Sequence, residues 1–475
     1  MLDIFLNILY YTFTLLFVIL DIAVIVVIVL ENRNPVKTLA WIFMLLVFPF
    51  FGALVYLLIG RNHRSKKILK RWADVHVQGK KVSDEELAEK GVPEHFRKIF
   101  RLLDNEMSDR LYAGNNVEVY TSGDEIFDSL FRDIEAAKKH INIEFYIIEE
   151  GAVGNHLHDI LVRKAQEGIE VRLLYDYVGG FRLPIEWKNS LKKAGVKINS
   201  FLSAKSLLDL QYINNRNHRK LVIIDGKIAY TGGVNIADRY RLGNHLGLWR
   251  DTFIKVSGPA VEAMQHAFLV DWDFVDNEKI ALDDYVEKTG EVADEIVQIV
   301  TSGPDNDWLN MLNGIVAAIN RARDFVWIHT PYFIPPEPLM QAMESAALSG
   351  VDVRLMLSEK SDSIVVSTAG RSYIDQLLSA GVKVYFYRSN FLHSKAIVID
   401  GYLSIIGTAN MDVRSFEQNF ELAAFVYGEK TGKTLMDKYA LDMRTCRELN
   451  LNAWRHRTLW VHAKESLARL LSPIF

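Results

Sequence analysis

Apolar residues are spread unevenly along this 475-residue chain. Between Ile4 and Leu30 the only charge is Asp21, and between Thr38 and Gly60 there is none. At ~1.5 Å rise per residue, either run can cross a hydrocarbon core of ~30 Å. Just seven residues, Glu31 to Lys37, separate them. The pattern therefore predicts a two-helix transmembrane hairpin within residues 1–60, with spans over 4–30 and 38–59. No basic residue precedes the first run and no small-residue cleavage site follows it, which argues against a removable signal peptide. Pro49 and Gly52 are points where the second span can bend, or enter the bilayer without a straight crossing. Asp21 needs a partner or a polar surrounding within the first.

After residue 60 the pattern changes. The stretch RNHRSKKILKRW carries Arg61, Arg64, Lys66, Lys67, Lys70 and Arg71, whereas the loop between the spans has only Arg33 and Lys37. The positive-inside rule places everything beyond Gly60 in the cytoplasm. The same stretch suits anionic headgroups, at about 1 kcal/mol per residue near the surface, and a pure topology signal explains it equally well. Residues 61–115 read as a basic juxtamembrane and linker region.

From about residue 116 the hydrophobic pattern runs through its course twice. A turn, an amphipathic helix and an apolar strand begin at Thr121 and again at Thr301. A glycine-ended helix and a strand follow in AQEGIEVRLLYD and AALSGVDVRLMLSE, then in LKKAGVKINSF and LLSAGVKVYFY. Last come NHRKLVIIDGKIAYTGGVN and LHSKAIVIDGYLSIIGTAN. The offset stays between 175 and 186 residues, too long for a solenoid and right for one fold used twice. Helices alternating with glycine-bounded strands predict α/β layers in each half. The expected domains are 116–275 and 296–450, joined by an acidic linker over 276–295. The amphipathic segment 451–475 suits the bilayer surface or packing on the body.

Composition refines this picture. Mean hydropathy of +0.05 is high for a chain with 24% charged residues, and the first sixty residues, with five charges, account for much of it. One cysteine, Cys446, excludes an internal disulfide framework and a Cys-based zinc site. A net charge of −4 and a pI near 6.4 argue against a dedicated nucleic-acid binder. No His/Asp/Glu cluster at metal-ligand spacing and no GxxxxGK[ST] loop stands out, so no metal or nucleotide cofactor is implied.

Chemistry concentrates in the last repeated segment, where both copies share His-x-Lys-x4-Asp-x6-Gly-x2-Asn. The residues are His218, Lys220, Asp225, Gly232 and Asn235, and His393, Lys395, Asp400, Gly407 and Asn410. His and Lys two apart project from one face of a strand, where both can converge on one anion. A single His-x-Lys on a strand is most often surface decoration. Two copies inside apolar strands are different, because a buried lysine needs an anion. Asp225 and Asp400 have the opposite parity and are expected at the strand end, stabilising the turn. The asparagines can donate to a phosphoryl oxygen. Asp251 and Glu421, downstream of each motif, are expected to orient the histidine of their own half, with a surface ion pair as the plain alternative.

The doubled motif resembles the phospholipase D superfamily, in which two HKD motifs meet between two similar α/β/α domains packed as a pseudo-dimer. NRNPVKTLAWIF, PYFIPPEPL, FLHSKAIVIDG and LLSPIF extend the resemblance to bacterial cardiolipin synthases over essentially the whole chain. One departure is Gly233, where the family often has serine, while the second copy keeps Thr408. The resemblance implies a catalytic set of His218, Lys220, Asp225, His393, Lys395 and Asp400, with Gly233, Thr408, Asn235 and Asn410 on the substrate. It implies that His218 attacks phosphorus, and that His393 protonates leaving glycerol and then deprotonates a second phosphatidylglycerol. It implies no metal, cardiolipin and phosphatidylglycerol as lipid partners, and a multi-pass protein of the bacterial inner membrane with a cytoplasmic body. Another phosphatidyltransferase or a phospholipid hydrolase of the superfamily is the enzyme alternative. A lipid-binding scaffold is the alternative outside catalysis, and a nuclease fits a mildly acidic, membrane-anchored chain poorly.

Overall fold

A computed structural model describes residues 2–31, 35–56, 82–107, 112–203, 215–287, 290–306, 308–470 and 472. The basic stretch 61–71 lies outside them. The chain divides into an N-terminal apolar unit and a large body, described in turn.

In the N-terminal unit, α1 runs Leu2–Leu30, α2 Pro35–Val47 and α3 Pro49–Val55. Within the described residues, Ile4–Leu30 is the one helix long and apolar enough to cross a membrane. Thr12 and Thr14 return their hydroxyls to the carbonyls of Ile8 and Tyr10, at 2.7 and 2.8 Å, which suits polar side chains in lipid. The second apolar run is not the straight span expected over 38–59. Pro49 has no N–H to continue the ladder, Phe48 leaves the helical region (φ −131, ψ 72), and α3 packs back along α2. A Cβ on Gly52 would lie 2.9 Å from the Met44 carbonyl, so glycine allows the close approach. The Trp41 and Tyr56 rings meet at 5.3 Å, and Tyr56 Oη donates to Glu31 at 2.8 Å.

The body holds two sheets of the same topology. In the first, β1 (Asn116–Tyr120), β2 (His140–Phe145), β3 (Glu170–Asp176), β4 (Lys197–Phe201), β5 (Lys220–Ile224), β6 (Ile228–Gly232) and β8 (Phe253–Ser257) lie in the order 1-8-6-5-2-3-4. The short β7 (Trp249–Arg250) stands outside it. The second sheet repeats that order with β9 (Ile296–Ser302), β10 (Phe325–His329), β12 (Asp352–Ser358), β13 (Lys383–Tyr387), β15 (Ala396–Ile399), β16 (Leu403–Gly407) and β18 (Glu421–Tyr427), adding β19 (Cys446–Glu448) at one edge. The short β11 (Phe333–Ile334), β14 (Phe391–Leu392) and β17 (Met411–Asp412) pair separately. In each half two parallel pairs (β2–β3–β4, β10–β12–β13) adjoin an antiparallel meander starting with the motif strand.

Both motif strands are buried throughout, which is why LVII and AIVI read as unbroken apolar runs rather than alternating ones. Leu221, Ile223 and Ile254 of the first half share one core with Val398, Ile406 and Leu422 of the second, while separate clusters lie under each outer helical layer. The expected linker 61–115 is partly structural: the helix Glu94–Met107 inserts Phe96, Ile99, Phe100 and Leu103 into the second half's core. In the C-terminal segment, the helix Leu459–Arg469 packs on the helix Ile364–Arg371, turning buried Glu465 inward to Arg457 at 2.6 Å. Leu459, Trp460 and Leu467 face outward.

Candidate active site

His218 lies two residues before β5 and His393 three before β15, and the two strands bring these ends together between the halves. His218 and His393 are 9% and 6% exposed, and Lys220, Lys395, Asn235, Asn410, Thr408, Asp251 and Glu421 are all buried. Lysine Nζ folds back onto the carbonyl of its own histidine in each copy, at 2.7 Å for Lys220 and 2.5 Å for Lys395. Lys395 Nζ also lies 3.2 Å from His393 Nε2.

The carboxylates are exchanged between halves, which corrects the expectation that each serves its own. Glu421 takes His218 Nδ1 at 2.9 Å, and Asp251 takes His393 Nδ1 at 2.6 Å. The cause is backbone pairing. β14, which leads into His393, runs parallel to β7, which leads into Asp251, and His393 N donates to Arg250 O at 2.8 Å. Likewise Asn217 bridges to Phe420, and His218 N donates to Phe420 O at 2.9 Å. Each acid therefore sits beside the other half's histidine. With Nδ1 held, Nε2 is the atom left for chemistry on each ring.

Asp225 and Asp400, carried in the catalytic set by the family motif, do not reach this centre. Both occupy left-handed turn positions (φ 56 and 50) at the far ends of the motif strands. Asp225 accepts from the amides of Lys138, Lys139 and His140, and Asp400 from those of Arg323, Asp324 and Phe325, at 2.7–3.1 Å. They pin the motif hairpin to the neighbouring strand's entry.

Asn235 donates to Tyr240 Oη at 2.9 Å and accepts from the Ile147 amide at 3.1 Å, so it holds its loop. The Asn410 carboxamide oxygen has no hydrogen-bond partner among the described residues. Thr408 donates to Glu421 at 2.5 Å. At Gly233 a Cβ would fall 2.1 Å from Asp251 Oδ1, so the missing side chain is the space the shorter acid occupies. Asp251 takes the Thr252 amide instead, at 2.7 Å.

Electrostatics separates the pairs. Burial, only partly opposed by Glu421, pushes His218 down to about 4. Burial tends to raise Glu421, but His218, Lys220 and Thr408 outweigh it and leave the carboxyl below its usual range. Burial drives Asp251 up to about 7 despite Lys395, and burial with the nearby cations drives His393 well down. Lys220 and Lys395 fall to about 7 and 8, mainly through burial. A bound anion would reverse that.

Several supporting residues carry no motif signal. Tyr146 stands edge-on to His218 at 5.0 Å, and Tyr240, Trp249 and Tyr332 surround His393 at 5.7, 5.0 and 6.5 Å. Behind His218, Arg219 pairs with Asp271 and Asn217 with Glu144, all buried. Arg250 and His329 meet Asp442 at 2.7 and 3.3 Å, tying β7 to the second half. The apolar-strand context of Arg219 was the one available signal, since a buried arginine demands a carboxylate.

Comparison with known proteins agrees with this arrangement. A family model described as "Cardiolipin synthase, PLD-like domain" matches residues 130–269 and 315–443, and one described as "Phospholipase_D-nuclease N-terminal" matches 19–61. A cardiolipin synthase of Halalkalibacterium halodurans is 40% identical over 459 residues, covering 94% of this chain and 91% of the relative. Cardiolipin synthase 2 of Bacillus anthracis is 40% identical over 456 residues, covering 94% and 88%. The crystal structure of a phosphatidylserine synthase from Haemophilus influenzae shares the fold, with a TM-score of 0.62 at 14% identity over 80% of this chain and all of that one. Two phospholipase D-like domains of one topology, meeting at paired His-x-Lys motifs, together with these full-length relatives place the chain in the cardiolipin synthase family of the phospholipase D superfamily.

Proposed function

We propose that this chain is a phosphatidyltransferase that joins two phosphatidylglycerol molecules into cardiolipin and releases glycerol. The observation that carries the reading is two buried histidines, each held at Nδ1 by a carboxylate, converging with two buried lysines. Neutral His218 attacks phosphorus through Nε2, and the P–O bond to glycerol breaks as His393, protonated once the anionic phosphate is bound, gives its Nε2 proton to the leaving oxygen. His393 then takes the proton of the second lipid's terminal hydroxyl, whose oxygen attacks phosphorus while the P–N bond breaks. Lys220, Lys395 and Asn410 stabilise the charge on the nonbridging oxygens. The reaction exchanges one phosphodiester for another and runs in both directions. Purified protein in phosphatidylglycerol vesicles is expected to yield cardiolipin and glycerol in equal amounts. Phosphatidic acid as the product would replace this reading with hydrolysis.

The protein is membrane-associated, as its N-terminal helix and family relatives indicate. The basic stretch after Gly60 favours a body facing the cytoplasm of a bacterial inner membrane. The fold-back of α3 on α2 favours one crossing by α1 and a re-entrant pair of ~20 Å depth in place of the multi-pass hairpin. On that reading the N-terminus lies outside. An Asp3→Cys substitution in a Cys446→Ser background is expected to react with an impermeant maleimide in intact cells. Two full crossings would leave it unlabelled.

A further inference from the structure

One more residue recurs at fixed spacing in both halves. Four positions beyond each motif asparagine stands an arginine, Arg239 after Asn235 and Arg414 after Asn410. Arg239 lies on the His393 side of the centre. Its guanidinium is 5.1 Å from the Trp249 ring and 5.6 Å from the Tyr240 ring, the same two rings that flank His393. The side chain is 18% exposed, and Nη1 is anchored on Glu149 at 2.6 Å. Its Nε is buried and makes no hydrogen bond among the described residues.

The proposed reaction handles two phosphates at once. Lys220 and Lys395 stand at the two histidines and serve the phosphodiester that is broken. The acceptor is itself an anionic phosphodiester, with three carbons between its attacking hydroxyl and its own phosphate. That hydroxyl must reach His393, the base, so the second phosphate comes to rest beside the same histidine. A planar guanidinium suits a phosphate oxygen pair, and aromatic walls that exclude water strengthen the attraction. Glu149 keeps the cation from being buried alone while the site waits for lipid.

We propose that Arg239 binds the phosphate of the acceptor lipid and thereby selects an anionic phosphatidyl acceptor over a neutral alcohol or water. This rests on the transferase reading above. The test is acceptor competition, with phosphatidylglycerol vesicles and ethanol offered together to wild type, Arg239→Gln and Arg239→Lys. In Arg239→Gln, cardiolipin formation is expected to fall about 10- to 100-fold, the weight of a charge-assisted contact. Phosphatidylethanol formation is expected to fall no more than about threefold, and Arg239→Lys to recover part of the cardiolipin. A proportional loss of both products, or an unchanged product ratio, overturns the proposal. Wild type that makes phosphatidylethanol or phosphatidic acid but no cardiolipin overturns the cardiolipin-forming reading itself, which separates the two failures.

Discussion

The Glu421–His218 pair and the Asp251–His393 pair occupy equivalent places in a duplicated fold, yet they are built differently. Around His218 the wall is polar: Thr408 donates to Glu421 at 2.5 Å and Asn419 at 3.2 Å, and the longer acid reaches across from β18. Around His393 the wall is aromatic, the acid is one carbon shorter, and Gly233 leaves it the room a side chain would fill. More donors keep Glu421 ionised beside a neutral His218, a combination that presents a nucleophilic Nε2. Fewer donors and drier surroundings raise Asp251 to about 7, close to the pH at which a proton has to come and go. On the proposed mechanism, equivalent places in the two halves carry environments suited to unequal work.

The comparison breaks most visibly at the histidines. Alanine at either is expected to lower cardiolipin formation by roughly four orders of magnitude or more. Only His393→Ala should retain a covalent adduct from radiolabelled phosphatidylglycerol, because its nucleophile is intact and its acid–base group is gone. An adduct on His218→Ala instead would invert the roles.

The crossed pairing comes next. Glu421→Gln and Asp251→Asn should each cost about 100-fold or more in rate, because the imidazole loses the carboxylate that fixes its tautomer and orientation. Histidine NMR supplies the decisive reading. Glu421→Gln is expected to move the His218 titration to lower pH and leave that of His393 in place. Movement of the same-half histidine would undo the assignment.

Smaller effects are expected where the halves are made alike. Gly233→Thr forces atoms onto Asp251 and should cost about 2–3 kcal/mol of stability by overpacking, read by thermal melting. Thr408→Val keeps the shape and removes one donor to a buried carboxylate, so about 1–2 kcal/mol and a modest drop in rate are expected.

Anion affinity is the mildest test. Without an anion, burial pushes Lys220 down to about 7 and Lys395 to about 8, so both are cationic below those values. Sulfate keeps its charge across this range, so its affinity by calorimetry should weaken as pH rises from 6 to 9, by about tenfold for each lysine that loses its proton. A flat profile would show that the lysines do not hold the anion. Lys220→Met should remove the lower step.

Much of this is legible in the sequence alone. The recurring offset exposed the duplication, and the unbroken apolar runs around His218 and His393 marked buried strands at a shared centre. The parity of Asp225 and Asp400 put them on the turn, where they hold three amides each. The bend at Pro49 was visible as a possibility, but the return of α3 along α2 depends on Gly52 meeting Met44, a contact that hydropathy does not register. Arg239 and Arg414 were present as a spacing and carried no meaning until rings and histidine surrounded the first.

The sequence by itself determined the apolar anchor, the duplicated α/β fold and the convergence of two His-x-Lys pairs. These follow from periodicity, which acts through neighbours a few residues apart. Tertiary structure alone decided which carboxylate serves which histidine. Glu421 is 203 residues from His218 and Asp251 is 142 from His393. They are matched by the pairing of β7 with β14 and of Asn217 with Phe420 across the interface, and no local pattern specifies which half's backbone completes the other's hydrogen bonds.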